Sequence, residues 1–134
     1  MMHEIYSQSI SASETDNGKR VILITLRGQV DPLLSQMLRL ELNKAHIQAH
    51  DEERRVDGVI IAFDRVKSVD NSALAQVYAF DRDLGNLRIP LLIVASHGTQ
   101  LAFVEQGIGE GMTFVRTIKE AKVHLGILEE VEPS

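Results

Sequence analysis

The chain has 134 residues, 44% of them hydrophobic, and a formal net charge of −5. This length and apolar content suit one domain with its own core, and the mild negative charge without basic runs argues against nucleic acid as a partner. The absence of cysteine excludes disulfides, thiolate catalysis and cysteine-ligated zinc sites, and it fits a reducing compartment.

The first residues, Met1 to Glu4, carry neither a basic stretch nor a following apolar segment of the kind found in secretory signals. No apolar run approaches the roughly 20 residues that a membrane-spanning helix needs. We therefore expect a cytoplasmic protein without direct membrane insertion.

Two strands joined by a hairpin are predicted first. His3 to Ile10 alternate weakly and suggest an edge strand, and the polar segment from Ser11 to Lys19 is typical of a turn. Within it, Asn17-Gly18 is a strong hairpin signal. Val21 to Leu26 are almost all apolar and predict a central strand buried on both faces, which Gly28 would end.

The first helix is predicted to begin at Asp31-Pro32, because aspartate is a good N-cap and proline suits the first helical position. It is expected to continue to about His50. Apolar residues recur along it at helical spacing and predict one apolar face, formed by Leu34, Leu38, Leu42 and Ala45 with Leu33, Met37 and Leu40 beside them.

The rest of the chain alternates between strands and helices. Apolar runs predict strands at residues 59–63, 90–95 and 113–115, and helical patterns cover residues 70–84, 99–105 and 117–128. We predict an α/β fold with a mixed, mostly parallel sheet of about five strands, about four helices and an antiparallel first hairpin. Whether the helices cover one face of the sheet or both is left open.

The predicted domain boundaries follow from this pattern. Residues 1–128 are expected to form a single domain. Residues 129–134 are acidic, contain a proline and are expected to form a flexible tail.

Five short segments occur in a suggestive order: the Gly28–Asp31 turn, the stretch from Val59 to Ser72, Ala73–Ala75, Gly107-Ile108, and Thr117–Ala121. Together they resemble the STAS domain family, the anti-sigma factor antagonist fold, over roughly residues 21–125. The family has two serines after the aspartate of its strand-to-helix turn, where this chain has Asn71 and Ser72. Two family glycines are Ala73 and Ala75 here.

Ser72 is the central candidate of the sequence. A hydroxyl in the first turn of a helix lies near unpaired backbone N–H groups, where a phosphate can be accommodated. The resemblance implies that Ser72 is the residue phosphorylated by a partner kinase. An ordinary helix-start serine is the alternative, with Asp70 or Asn71 as the N-cap.

Further candidates surround Ser72. Four neighbours share one face of the second helix with it, and this face is either a docking surface or an ordinary solvent face; they are Ala75, Gln76, Ala79 and Asp83. The predicted partner-binding set is Asp31, Asp70, Asn71, Ser72, Ala75, Gln76 and Ala79. For Asp31, a role as N-cap of the first helix is the alternative.

The chemistry of an enzyme is not readable in the sequence. No nucleophile–base pair or paired-carboxylate site is recognisable. His46 and His50 have a spacing found in metal sites, but a solvated helix end explains them better, so we predict neither a metal nor a cofactor.

The resemblance therefore implies a non-catalytic regulatory domain that works by partner switching in transcription regulation or a related pathway. Its partners would be an anti-sigma-type serine kinase that uses ATP and a phosphatase, and a homodimer is left open. Two alternatives also stay open. One is a STAS-type scaffold or transport-complex subunit without phosphorylation, and the other is a small-molecule or nucleotide sensor.

Overall fold

The computed structural model describes residues 9–16 and 18–127. The turn residue Asn17 and the predicted tail lie outside the described residues. The strands and helices alternate along the chain in the order β1 Ser9–Asp16, β2 Arg20–Val30, α1 Pro32–Ala49, β3 Gly58–Val69, α2 Asn71–Asn86, β4 Leu91–Val94, α3 His97–Glu105, β5 Thr113–Val115 and α4 Ile118–His124.

The strands form one sheet in the order β1-β2-β3-β4-β5. Strands β2 to β5 are mutually parallel, whereas β1 pairs with β2 in the antiparallel direction. The predicted mixed α/β architecture with four helices and a parallel sheet is confirmed.

Three strand boundaries differ from the prediction by more than one residue. The segment from Ser11 to Asp16, predicted as turn, belongs to β1, because its backbone pairs along the whole length of the long neighbour β2. Strand β2 continues past Gly28 to Val30, and β3 continues past Phe63 to Val69. The polar residues at these ends lack the apolar pattern of a strand, yet their backbones pair with each other.

The helices lie on both faces of the sheet. Helices α1, α2 and α3 connect successive parallel neighbours, and right-handed crossovers in one direction place such helices on the same face. Helix α4 follows the last strand and covers the other face, where Ala121 and Leu125 pack with Ile60 and Leu92. This answers the question that the sequence left open.

Helix α1 buries only part of its apolar surface. The predicted inward residues Leu34, Leu38, Leu42 and Ala45 are all buried. The apolar residues that the sequence placed beside them, Leu33, Met37 and Leu40, are exposed. A helix lying on a sheet covers one stripe of its circumference, and this helix has apolar residues over a wider arc.

Helix α3 also leaves part of its apolar surface exposed. Phe103 is fully buried and its ring packs edge-on against Phe63 and Phe114. Two other apolar side chains of this helix, Leu101 and Val104, are exposed. The single aromatic side chain therefore anchors this short helix to the sheet.

Candidate functional site

The helices α1 and α2 begin side by side at the carboxyl ends of β2 and β3. The last residues of the two strands, Val30 and Val69, are paired, and the backbone N–H of Asp70 donates to the carbonyl oxygen of Val30 over 2.7 Å. Asp31 and Asp70 therefore occupy equivalent positions just before their helices. As expected, Asp31 and Ser72 lie at the same end of neighbouring parallel strands.

An irregularity in the β2–β3 ladder precedes this site. The register shifts on both sides of Gly28, whose φ is +81°, and Arg65 opposite has a φ of 54°. A β-bulge of this kind increases the local twist and redirects the strand that follows. Here it redirects the last residues of both strands, which lead directly into α1 and α2.

Asp31 caps the first helix. Its Oδ1 accepts a hydrogen bond from the backbone N–H of Leu34 at 3.0 Å, and Pro32 takes the first helical position. This is the geometry of an N-cap aspartate. The capping role that the sequence offered for Asp31 is therefore present, and it leaves a half-buried carboxylate at the edge of the site.

Asp70 occupies the N-cap position of α2 but makes no side-chain capping bond. The sequence named Asp70 or Asn71 as the cap. The position is right for Asp70, but the expected side-chain contact is absent. Asn71 is the first helical residue and is exposed. The carboxylate of Asp70 therefore contributes negative charge to this edge without being used in the helix cap.

Ser72 lies in the first turn of α2 with an exposed side chain. Its Oγ accepts a hydrogen bond from the Ser35 hydroxyl at 3.2 Å and lies 3.3 Å from Nε2 of Gln76. Ser35 belongs to α1 and is 2% exposed. The hydroxyl of Ser72 is therefore accessible from outside but is held against α1 from beneath.

Gln76 links the two helices one turn further along α2. Its Nε2 donates to the carbonyl oxygen of Ser35 at 3.1 Å and to the Ser35 Oγ at 2.9 Å. Its Oε1 is buried and has no hydrogen-bond partner among the described residues. Gln76 thus works mainly as a clamp between α1 and α2, whereas Ala75 and Ala79 on the same predicted face are exposed.

A shallow groove continues from Gln76 along the two helices. It has a volume of about 260 Å³ and is lined by Arg39, Leu42, Asn43, His46, Gln76, Ala79, Phe80 and Asp83. Small-molecule sites commonly measure roughly 300–1,000 Å³ and enclose their ligand. The groove is smaller than that range, so a small-molecule sensor gains no support from it.

His46 lines the far end of this groove, and His50, the C-cap residue of α1, lies next to it. Nε2 of His46 is 3.2 Å from Nε2 of His50 and 3.7 Å from Oδ2 of Asp83. In the part of the chain that the structure describes, no group of three histidine, cysteine, aspartate or glutamate residues could hold a metal ion. The contacts of His46 instead connect α1 with α2.

Ser35 is the residue of this site that the sequence reasoning missed. It stands between Leu34 and Leu38 on the first helix, at a position that the helical repeat turns towards the core. A polar residue inside a buried stripe needs a hydrogen-bond partner. A serine at a core-facing position was therefore the signal in the sequence that could have identified Ser35. It does not indicate that Ser72 is the hydrogen-bond partner.

Among the residues that the structure describes, no helix is both long and apolar enough to cross a membrane.

Burial raises the pKa of Asp81, which lies on α2 away from the start of the helix.

Solved structures with a similar fold are those of the anti-sigma factor antagonist SpoIIAA. Its unphosphorylated form matches with a TM-score of 0.69 at 20% sequence identity, covering 88% of this chain and 96% of that chain. The Bacillus cell fate determinant SpoIIAA in its phosphorylated form matches with a TM-score of 0.65 at 20% identity, covering 87% and 99%. No protein-family model and no curated protein matches the chain. The chain therefore has the STAS fold of SpoIIAA, as the sequence resemblance predicted.

Proposed function

We propose that this protein is a non-catalytic regulatory domain that binds protein partners and switches between them when Ser72 is phosphorylated. The observation that carries the proposal is the exposed Ser72 hydroxyl in the first turn of α2, on a fold like that of SpoIIAA. A kinase can reach this hydroxyl without unfolding the chain. The proposed partners are an anti-sigma-type serine kinase, which would use ATP, and a phosphatase, all in the cytoplasm.

The charge of the site explains how a phosphate would act. A phosphoserine carries roughly −1.5 to −2 charges at neutral pH. Added to the net charge of −5, it brings the chain to about −7 and places the new charge beside Asp31 and Asp70. A partner that docks over the start of α2 would meet a hydrated dianion on an edge that is already acidic, and would be repelled.

The fold itself tolerates the phosphate. The first backbone N–H groups of a helix have no intrahelical acceptor, and they favour a negative group nearby. The phosphorylated side chain would have to leave its contact with Ser35, because the buried Ser35 hydroxyl leaves no space for a phosphate beneath it. We expect a local change at the α1–α2 contact rather than refolding.

The proposed docking surface is the edge formed by the starts of the two helices and the exposed face of α2. It comprises Asp31, Asp70, Asn71, Ser72, Ala75, Gln76 and Ala79. The small exposed side chains of Ala75 and Ala79 allow close approach of a partner backbone. Gln76 connects this surface to α1 through its hydrogen bond to the carbonyl oxygen of Ser35.

The test is incubation with candidate serine kinases and ATP, with mass spectrometry to locate the phosphate. We expect phosphate on Ser72 and none in Ser72→Ala, and we expect Ser72→Asp to weaken binding of the kinase partner. Ser68→Ala and Ser68→Asp are matched controls, since Ser68 is an exposed serine near the same end of β3. The proposal is wrong if no cognate kinase phosphorylates Ser72 and the Ser72→Asp protein binds the kinase partner as strongly as the wild type.

A scaffold without phosphorylation is the second candidate function. The observation that favours it is the row of exposed apolar side chains on α1, which suits association with another protein surface. A stable assembly whose formation does not depend on Ser72 would favour the scaffold over the switch.

A further inference from the structure

Helix α1 carries a row of large apolar side chains that the protein does not bury. This row, the α1 seam, consists of Leu33, Met37, Leu40 and Ile47, with exposed fractions of 63%, 42%, 61% and 72%. Their spacing of four, three and seven residues is that of the contact positions in a coiled-coil helix. The two other large apolar side chains that are comparably exposed within the described ranges, Leu101 and Val104, lie on α3.

The α1 seam points away from the parts of the described structure on which α1 packs. At about 100° per residue, its centre lies roughly 140° around the helix from the buried stripe centred on Leu38. The contacts of α1 with α2, made by Ser35 and His46, lie on the other side of that buried stripe. A second helix can therefore approach the seam without meeting the sheet or α2.

We propose that the α1 seam is the interface between two copies of this chain, packed with the two α1 helices antiparallel about a twofold axis at Leu40. In this arrangement Leu40 contacts Leu40 of the other copy, and Leu33 faces Ile47. Lys44 occupies the remaining seam position, and its aliphatic stem lies beside Met37 of the other copy, displaced by one residue, about 1.5 Å, along the helix axis. The seam is thus complementary to itself, as a twofold interface requires.

The charge of Lys44 selects the antiparallel direction. Parallel helices in register would place the two Lys44 ammonium groups against each other, which costs free energy. In the antiparallel pair they are roughly 12 Å apart along the helix axis, given a rise of about 1.5 Å per residue. Within each copy, Glu41 lies 3.5 Å from Lys44 and partly balances its charge. The antiparallel helix dipoles also attract each other.

The area of the seam matches a weak dimer. The four exposed side chains offer on the order of 500 Å² per copy, so a dimer would bury on the order of 1,000 Å², the lower end for a specific interface. We therefore expect association that depends on protein concentration, with a dissociation constant on the order of micromolar.

Cross-linking tests the geometry directly, because the chain contains no cysteine. A single Leu40→Cys protein should form an intermolecular disulfide on mild oxidation, since the two Cα atoms at the twofold axis lie within bonding range. Ile47→Cys alone should not, but a mixture of Leu33→Cys and Ile47→Cys proteins should give the mixed disulfide. Efficient cross-linking of Ile47→Cys with itself would indicate parallel packing and overturn the proposal.

Sedimentation velocity over a range of concentrations tests the interface in the absence of cysteine. Leu40→Glu should raise the dissociation constant by at least about 100-fold, because it buries a charge at the twofold axis. Val104→Glu, an equally exposed apolar position on α3, should leave it unchanged. A wild-type chain that stays monomeric at the highest concentration, or equal effects of the two substitutions, would overturn the proposal. Neither outcome depends on phosphorylation of Ser72.

Discussion

The hydroxyl oxygens of Ser35 and Ser72 lie 3.2 Å apart and join the first turns of α1 and α2. One of the two is buried at 2% exposure and the other is exposed. The proposed phosphorylation site is therefore not an isolated surface hydroxyl. Any change at Ser72 alters a contact between the two helices that carry the proposed docking surface.

Ser35→Ala should lower the free energy of unfolding by about 1 kcal/mol, because the substitution removes a buried hydroxyl that bonds to both Ser72 and Gln76. Urea denaturation measures the change. Ser68→Ala, at an exposed serine, should stay within about 0.5 kcal/mol of wild type. Equal stability of the two variants would contradict a structural role for the Ser35 contact.

Asp31→Ala and Asp70→Ala should differ in their effect on stability. Loss of the Asp31 cap should cost about 1 kcal/mol, since its carboxylate accepts the N–H of Leu34. Asp70→Ala should cost clearly less, because Asp70 makes no capping bond. Thermal or urea unfolding of the two variants side by side measures this. If Asp70 belongs to the docking surface, its loss should weaken partner binding more than it weakens the fold.

Gly28→Ala should destabilise the chain by roughly 1–2 kcal/mol, because the φ of +81° at the bulge is unfavourable for a residue with a Cβ. Gly85→Ala provides a control of opposite sign. Gly85 lies in α2 with open space around its Cα, and alanine there should stabilise the helix by roughly 0.5–1 kcal/mol. If Gly28→Ala and Gly85→Ala shift the denaturant midpoint in the same direction, the strained glycine position assigned to the bulge is wrong.

Asp81→Asn should stabilise the protein at neutral pH. Burial raises the pKa of Asp81 in the folded state, so folding favours the protonated carboxyl. The protonated carboxyl therefore contributes to the free energy of unfolding. This contribution is fully present below the pKa of Asp81 in the unfolded state, and it is lost as the pH rises through the pKa of Asp81 in the folded state. The advantage of Asp81→Asn should therefore shrink as the pH falls into the acid range.

Urea unfolding at several pH values measures this dependence. Glu105→Gln, which removes an exposed carboxylate on α3, corrects for the change in net charge. If the stabilisation by Asp81→Asn grows as the pH falls, the prediction is contradicted.

Much of the fold could be predicted because its elements are marked locally. The apolar run at residues 59–63, the Asp31-Pro32 helix start and the helical pattern that begins at residue 117 all correspond to structure. The strand ends at Gly28 to Val30 and Asp64 to Val69 could not be predicted, since pairing between strands, rather than local pattern, makes them β structure.

Only some features of the candidate site could be predicted from the sequence. The sequence placed Ser72 in the first turn of a helix, and Asp31 at the same sheet edge. It did not indicate that Gln76 turns towards α1, or that Asp70 leaves its carboxylate unused in the helix cap. These facts depend on how closely two helices approach, which no spacing within one helix specifies.

By itself, the sequence determined the order of strands and helices, because apolar periodicity and capping residues act over a few neighbours. It also determined that α1 would be rich in leucine over a wide arc. Only the tertiary structure decided which part of that arc is core: Leu34 and Leu38 face the sheet, while Leu33 and Leu40 face solvent. The same packing brought Ser35 beneath Ser72, because burial and contact between helices are properties of the whole fold.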